Sequence, residues 1–287
     1  MLGEARVNGI MKELHEKGIF DSDHVVLSKM KGTTEGLIYI VSENNESKYV
    51  LKLDHPEQIN LAELFLQTYQ RTSLLPKLLY TDPAKTFIVY SFLQGATHYN
   101  RGSKKNWLPL LVKELINHYV NEQEADRWDG LKYSHETWRE YNEQSVEEAR
   151  MYIGNLLPLE DYHQVKLLVE KTAMQQEDEA KYLLHGDMGV HNFVFHQEVL
   201  TGVIDPSPMV GPVHYDFLYA FCSSPDDLNL ETLLPAFQML KHGTMGRSHL
   251  IEEVIIQLYC RIGLSCKHHP HDLPEYLKAW EYWKGRI

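Results

Sequence analysis

The spacing of apolar residues changes part-way along this chain, and that change limits the fold more than any other feature. Up to about residue 95, short stretches of Val, Ile, Leu and aromatic residues alternate with turn-forming positions, the pattern of strands. They occupy 25–30, 37–42, 48–53, 76–80 and 86–92, and Glu43, Asn44, Asn45 and Glu46 close the second onto the third as a hairpin. Between the third and fourth, Ile59, Leu61, Leu64, Phe65 and Thr68 recur near a period of 3.6, so 56–71 reads as one helix stopped before Pro76. From Trp107 the spacing is mostly helical, over 108–121, 137–157, 159–180, 230–242 and 248–263. Apolar runs at 182–184, 193–195 and 202–204 are too short for helices and read as small strands bracketing loops. The expectation is an α+β chain in two parts. Residues 1–95 form an antiparallel sheet with one helix, residues 96–287 are mostly helical, and 91–95 join them.

Composition narrows the partners. With 287 residues, 43% of them apolar, the chain buries a core of one or two domains, which excludes disordered and fibrous classes. A net charge of -12 argues against a protein that grips nucleic acid or an anionic membrane. No 18-residue apolar run occurs and the N-terminus is studded with charges, so a cytoplasmic protein is expected. Cys222, Cys260 and Cys266 are too few for a disulfide framework and fit reduced thiols. Cys266, His268, His269 and His271 are zinc-ligating types without a second ligand pair, so a polar loop between helices is the better reading.

The densest cluster of reactive side chains runs from His185-Gly186-Asp187 to Asn192, followed by Ile204-Asp205. One carboxylate to orient a hydroxyl, with an amide oxygen and a second carboxylate as hard ligands for magnesium, is the set that phosphoryl transfer requires. One compact hairpin aims all three at a single site. Upstream, Gly32 and Gly36 bracket a loop between two strands, and Lys52 follows on the next strand. Flexible backbone that closes over phosphates and a fixed positive charge suit a nucleotide. Ser207 is no hydrolase nucleophile, because Pro flanks it on both sides and no Gly-x-Ser-x-Gly elbow surrounds it.

In their order and spacing, these motifs resemble the aminoglycoside phosphotransferase and choline kinase-like family of the protein-kinase fold. A third motif, Gly211-Pro212-Val213-His214-Tyr215-Asp216, completes the resemblance, which runs from about Val25 to Phe221. The resemblance implies a two-lobed enzyme that uses ATP and Mg2+ to phosphorylate a hydroxyl of a small molecule. Asp187 takes or orients the hydroxyl proton, and Asn192 and Asp205 hold magnesium. Lys52 contacts the α- and β-phosphates with Glu63 as its helix partner, Glu57 being the rival. Val50 packs on the adenine, and backbone groups of Ser91, Phe92 and Leu93 form the hinge that reads its edge. Asp216 braces the catalytic loop. The sequence departs from the family pattern in having two loop glycines rather than three, with Glu35 at the tip.

For the acceptor, residues 1–95 hold 10 basic and 12 acidic side chains and the remainder 18 and 28, nets of -2 and -10. That division favours a cationic acceptor such as an amino sugar, with Asp226 and Asp227 as its contacts. The alternatives are choline or another small metabolite, with Trp128, Trp138, Trp280 and Trp283 as an aromatic cage, and a nucleotide-binding regulator without transfer activity.

Overall fold

Asn44 and Asn45 both adopt left-handed backbone, with φ of 51° and 67°, as a two-residue type I′ hairpin requires. The computed structural model describes residues 2–20, 25–30, 36–97, 99–122, 135–174, 180–243 and 245–287. They form two compact units, Met1–Arg71 with Leu75–Gln94 and Thr72–Leu74 with Gly95–Ile287.

The first unit runs α1 (Leu2–Glu16), β1 (Val25–Lys29), β2 (Leu37–Glu43), β3 (Glu46–Leu53), α2 (Pro56–Thr68), β4 (Leu78–Thr81) and β5 (Phe87–Ser91). The strands form one antiparallel sheet in the order β1-β2-β3-β5-β4. Alternation along β3 gives its two faces different tasks. Leu51 and Leu53, with Val41, Phe87 and Val89, bury against Val7, Ile10 and Leu14 of α1. Val50 and Lys52 point the other way, opposite Tyr90 and Ile88 of β5. The sheet therefore carries a second helix, α1, that the strand-rich reading of this part omitted. Its apolar residues recur at intervals of three and four among charges, which marks a helix needing a partner surface.

The second unit runs α3 (Lys104–Glu114), α4 (Trp138–Ile153), α5 (Leu159–Ala173), β6 (Tyr182–Leu184), β7 (Phe193–His196), β8 (Val199–Val203), β9 (Met209–Gly211), α6 (Val213–Cys222), α7 (Leu230–Phe237), α8 (Arg247–His268) and α9 (Leu273–Lys284). A capping box between Thr137 and Glu140 starts α4. Trp280 and Trp283 are fully buried on α9, their indoles donating to Asp161 and to the Leu228 carbonyl. They are core, which removes them from any aromatic cage, and Trp128 lies outside the described residues. No helix among the described residues is long and apolar enough to cross a membrane.

Helices α4 and α8 touch through backbone. A Cβ on Gly263 would lie 2.6 Å from the Cα of Ala149 and 3.0 Å from its carbonyl oxygen. Gly263→Ala is expected to cost about 1–3 kcal/mol, because backbone rather than a flexible side chain must move. Chemical denaturation measures this, and an unchanged midpoint and slope would reject the contact.

Candidate active site

Strands β6 to β9 exist to hold a loop. β6 pairs with β9, and β7 with β8, so the segments carrying His185, Asn192 and Asp205 are tied at both ends. Asp187 lies just beyond β6, Asn192 ends a 3-10 turn leading into β7, and Asp205 follows β8. The Ile204 N–H donates to the Asn192 carbonyl at 2.9 Å, which makes the Asn192 and Asp205 backbones neighbours. Asp205 is exposed and left-handed at φ 57°.

The loop is fastened from beneath by Asp216 at the start of α6. This fully buried carboxylate accepts the His185 N–H at 2.8 Å, the Gly186 N–H at 3.2 Å and the Tyr119 hydroxyl at 2.6 Å. Burial pushes its pKa up to about 6 although all three donors pull it down. Gly186 is left-handed at φ 81°, and a Cβ there would meet the Ser207 carbonyl oxygen at 2.0 Å, so only glycine fits.

His185 has a defined tautomer. Its Nδ1 accepts the Asp187 N–H at 3.3 Å, so Nε2 carries the proton and donates to the Ile204 carbonyl at 3.2 Å. Burial depresses its pKa to about 4, and the ring is neutral near pH 7.

Asp187 itself has a side chain 31% exposed. Asn192 donates to its Oδ2 at 2.9 Å and to its carbonyl at 3.0 Å, and His191 Nε2 lies 3.3 Å from the same Oδ2. Burial works to raise its pKa, but the His191 and Asn192 hydrogen bonds and the two nearby imidazoles hold it at about 2. The carboxylate is thus ionised throughout the neutral range and serves as an acceptor. Because Asn192 donates through nitrogen, its Oδ1 is the end of the amide suited to a hard cation.

Asp187 opens onto a cavity of about 450 Å³ walled by the loop, α4, α6 and α8. Tyr141, Tyr215 and Tyr219 line it with Asn142, Gln257 and Arg261. Tyr141 stacks on Trp138 with centroids 4.5 Å apart and shares a 2.5 Å hydrogen bond with the Tyr215 hydroxyl. Burial, and then the Asp187 carboxylate, raise the Tyr219 phenol well above its ordinary value. Sequence reasoning had Tyr215 only within a motif and did not single out Arg261. The arginine carried a signal, standing alone within an apolar stretch of α8.

Asp226 and Asp227 are not among the cavity's walls. Asp226 lies 3.8 Å from Arg101, and Asp227 accepts from Ser103, whose own hydroxyl oxygen caps α3. Their partners are local, near the start of α3. Among the described residues, the stretch from Cys266 to His271 included, no three His, Cys, Asp or Glu side chains form a group that could hold a metal ion. The first residues of that stretch continue α8, and His268 and His269 line the cavity.

In the first unit, Lys52 Nζ lies 3.7 Å from Asp54 Oδ2, while Glu63 pairs with Lys85 and accepts from Gln67. The expected pairing of Lys52 with Glu63 is thereby corrected. Asp54 follows two residues after Lys52 where β3 ends, whereas Glu63 faces the chain near Lys85. Gly36 is left-handed at φ 72° against the Leu53 carbonyl, and Gly32 lies outside the described residues. At the proposed hinge, the Ser91 N–H donates to Lys77 and the Phe92 N–H to Lys48, so of the three N–H groups Leu93 carries the one outside these bonds.

Comparison with known proteins now decides the family. The model described as phosphotransferase enzyme family matches residues 27–244. The chain belongs to this phosphotransferase family. Solved structures share its fold at low identity. The ADP-bound aminoglycoside phosphotransferase APH(2'')-Ib is 15% identical at a TM-score of 0.56, covering 93% of this chain and 96% of its own. The macrolide 2'-phosphotransferase MphH from Brachybacterium faecium is 12% identical at 0.60, covering 95% and 97%. The streptomycin–ATP–APH(2")-IIa ternary complex is 16% identical at 0.56, covering 96% and 95%. No curated protein matches. The phosphotransferase is therefore a kinase-like enzyme with an antiparallel N-terminal sheet and a helical C-terminal part.

The neutral His185 makes a prediction about acid. Below pH 6.5 the unfolded chain takes up a proton that the folded ring refuses until about pH 4, so stability is lost as pH falls through that window. His185→Asn keeps an acceptor for the Asp187 N–H but does not reach Ile204, and is expected to cost about 1–3 kcal/mol at pH 7. That deficit narrows by up to about 3 kcal/mol towards pH 4, read by urea denaturation. A deficit independent of pH would reject the assignment.

Proposed function

We infer that the protein transfers the γ-phosphoryl group of ATP, with magnesium, to a hydroxyl of a small molecule seated in the cavity beside Asp187. What supports this reading is that Asn192 donates to Asp187 and accepts from the backbone just before Asp205, with Asp187 lining a cavity sized for a small molecule. In the reaction the acceptor oxygen bonds to the γ-phosphorus, the bridging bond to the β-phosphate breaks, ADP leaves with that electron pair, and the hydroxyl proton departs. A carboxylate held at about pKa 2 is a weak base. Asp187 acts mainly by aligning the hydroxyl, in keeping with a reaction whose acceleration comes from positioning and charge neutralisation.

Magnesium suits the residues present. It binds through one or two carboxylates, other hard oxygens and the substrate's phosphates, and Asp205 with the amide oxygen of Asn192 supplies that set. Bound there, the ion neutralises charge on the phosphates. Lys52 is the proposed contact to the α- and β-phosphates, held by Asp54, with the loop ending at Gly36 over the nucleotide. Val50 is the apolar contact to the adenine, and the Leu93 N–H with the carbonyls of Ser91 and Phe92 reads its edge. Three unpaired cysteines suit the reducing cytoplasm.

The net charge of -10 over residues 96–287 supports a cationic acceptor, but the cavity does not share that excess. Its carboxylates are Asp187 and the exposed Glu148, set against Arg261 and three imidazoles.

Asp187→Asn is expected to abolish acceptor-dependent ADP release while nucleotide affinity changes no more than about threefold. Chelating magnesium in the wild type should likewise stop turnover. Full turnover in the variant would overturn the role of Asp187.

A further inference from the structure

Arg261 is 8% exposed, lines the cavity, and has its Nε committed to the Tyr276 hydroxyl at 3.0 Å. That hydroxyl donates in turn to the Cys222 carbonyl at 2.9 Å, so the plane of the guanidinium is fixed from behind. Among the described residues no carboxylate forms an ion pair with it. Two other buried charges of this unit have ion-pair partners, Glu252 in Lys171 and Asp161 in Lys284. Asp272 acts on Arg261 only at a distance and lies 3.4 Å from His271. The surroundings of Arg261 favour the charged form, so a buried, oriented guanidinium with no carboxylate partner stands ready for a ligand anion.

The rest of the wall fits such a ligand. Tyr141, Tyr215 and Tyr219 offer hydroxyls and ring faces, as hydroxylated carbon chains require, and Glu148 is exposed. We propose that the acceptor is a hydroxy-carboxylic acid about the size of a sugar acid, its carboxylate on Arg261 and the hydroxyl to be phosphorylated at Asp187. Guanidinium and carboxylate match as two parallel hydrogen bonds, which fixes the orientation of the chain between them. This rests on the phosphotransferase reading above and reverses the sign of the acceptor that the net charge suggests.

The test uses three six-carbon polyols that differ in charge: gluconate, sorbitol and glucosamine. Each is titrated calorimetrically into the full chain saturated with ADP and magnesium. Gluconate is expected to bind at least about tenfold tighter than glucosamine, and Arg261→Gln to remove that preference while leaving sorbitol within about twofold. Arg261→Lys, which keeps the charge and loses the fork, should fall between, and it decides the matter if thermal melting shows that the Gln variant fails to fold. Glucosamine binding as tightly as gluconate, no binding of gluconate, or an unchanged order in the variants would overturn the proposal. If magnesium-dependent ATP turnover that requires Asp187 persists alongside such a result, the acceptor assignment alone falls. Absence of that turnover with every acceptor instead rejects the phosphotransferase reading.

Discussion

The buried carboxylate of Asp216 is the constraint on which the loop carrying Asp187 depends. Three donors converge on it, from two successive backbone amides and from Tyr119. Holding the His185 and Gly186 amides obliges the chain to turn through a left-handed glycine. That turn lifts Asp187 to where His191 and Asn192 meet its carboxylate. His185 then joins the loop to the end of β8. Its proton affinity and that of Asp216 move in opposite directions. Stability associated with Asp216 falls as pH rises from 3.8 to about 6, because the folded state holds that proton more tightly. Acidification thus weakens the imidazole's contribution while relieving the carboxylate's, and the loop is buffered against modest changes of pH.

Much of this was legible in the sequence because local chemistry and tertiary structure agree. The Asn44-Asn45 turn fixed its hairpin, and the small strands around 182–204 followed from apolar runs too short to be helices. What escaped was set by partners distant in the chain. The helix α1 is recognisable only once the sheet face carrying Leu51 and Leu53 needs covering. Lys52 and Asp54 sit two apart where β3 ends, a nearer solution than a helix glutamate, and Glu63 found Lys85 instead. β9 is three residues long and exists because β6 offers it an edge.

Net charge illustrates the limit of composition. A surplus of carboxylates over a whole region describes its average field, which steers a ligand from a distance. Recognition depends on the few groups that desolvate together. Asp226 and Asp227 belong to the average, engaged with Arg101 and Ser103, whereas Arg261 belongs to the wall. Burial removes the water that would otherwise screen a charge, so a buried cation acts on its neighbours more strongly than exposed anions do.

The backbone contact at Gly263 separates two kinds of change open to this enzyme. Because α4 and α8 are locked there, side chains elsewhere along both helices can vary in size and polarity while the gap between the helices stays the same. The loop that carries Asp187 hangs from α6 and the small strands, so such variation leaves its shape alone. Residues facing the cavity can therefore change its shape and polarity one at a time while the loop that opens onto it keeps its form.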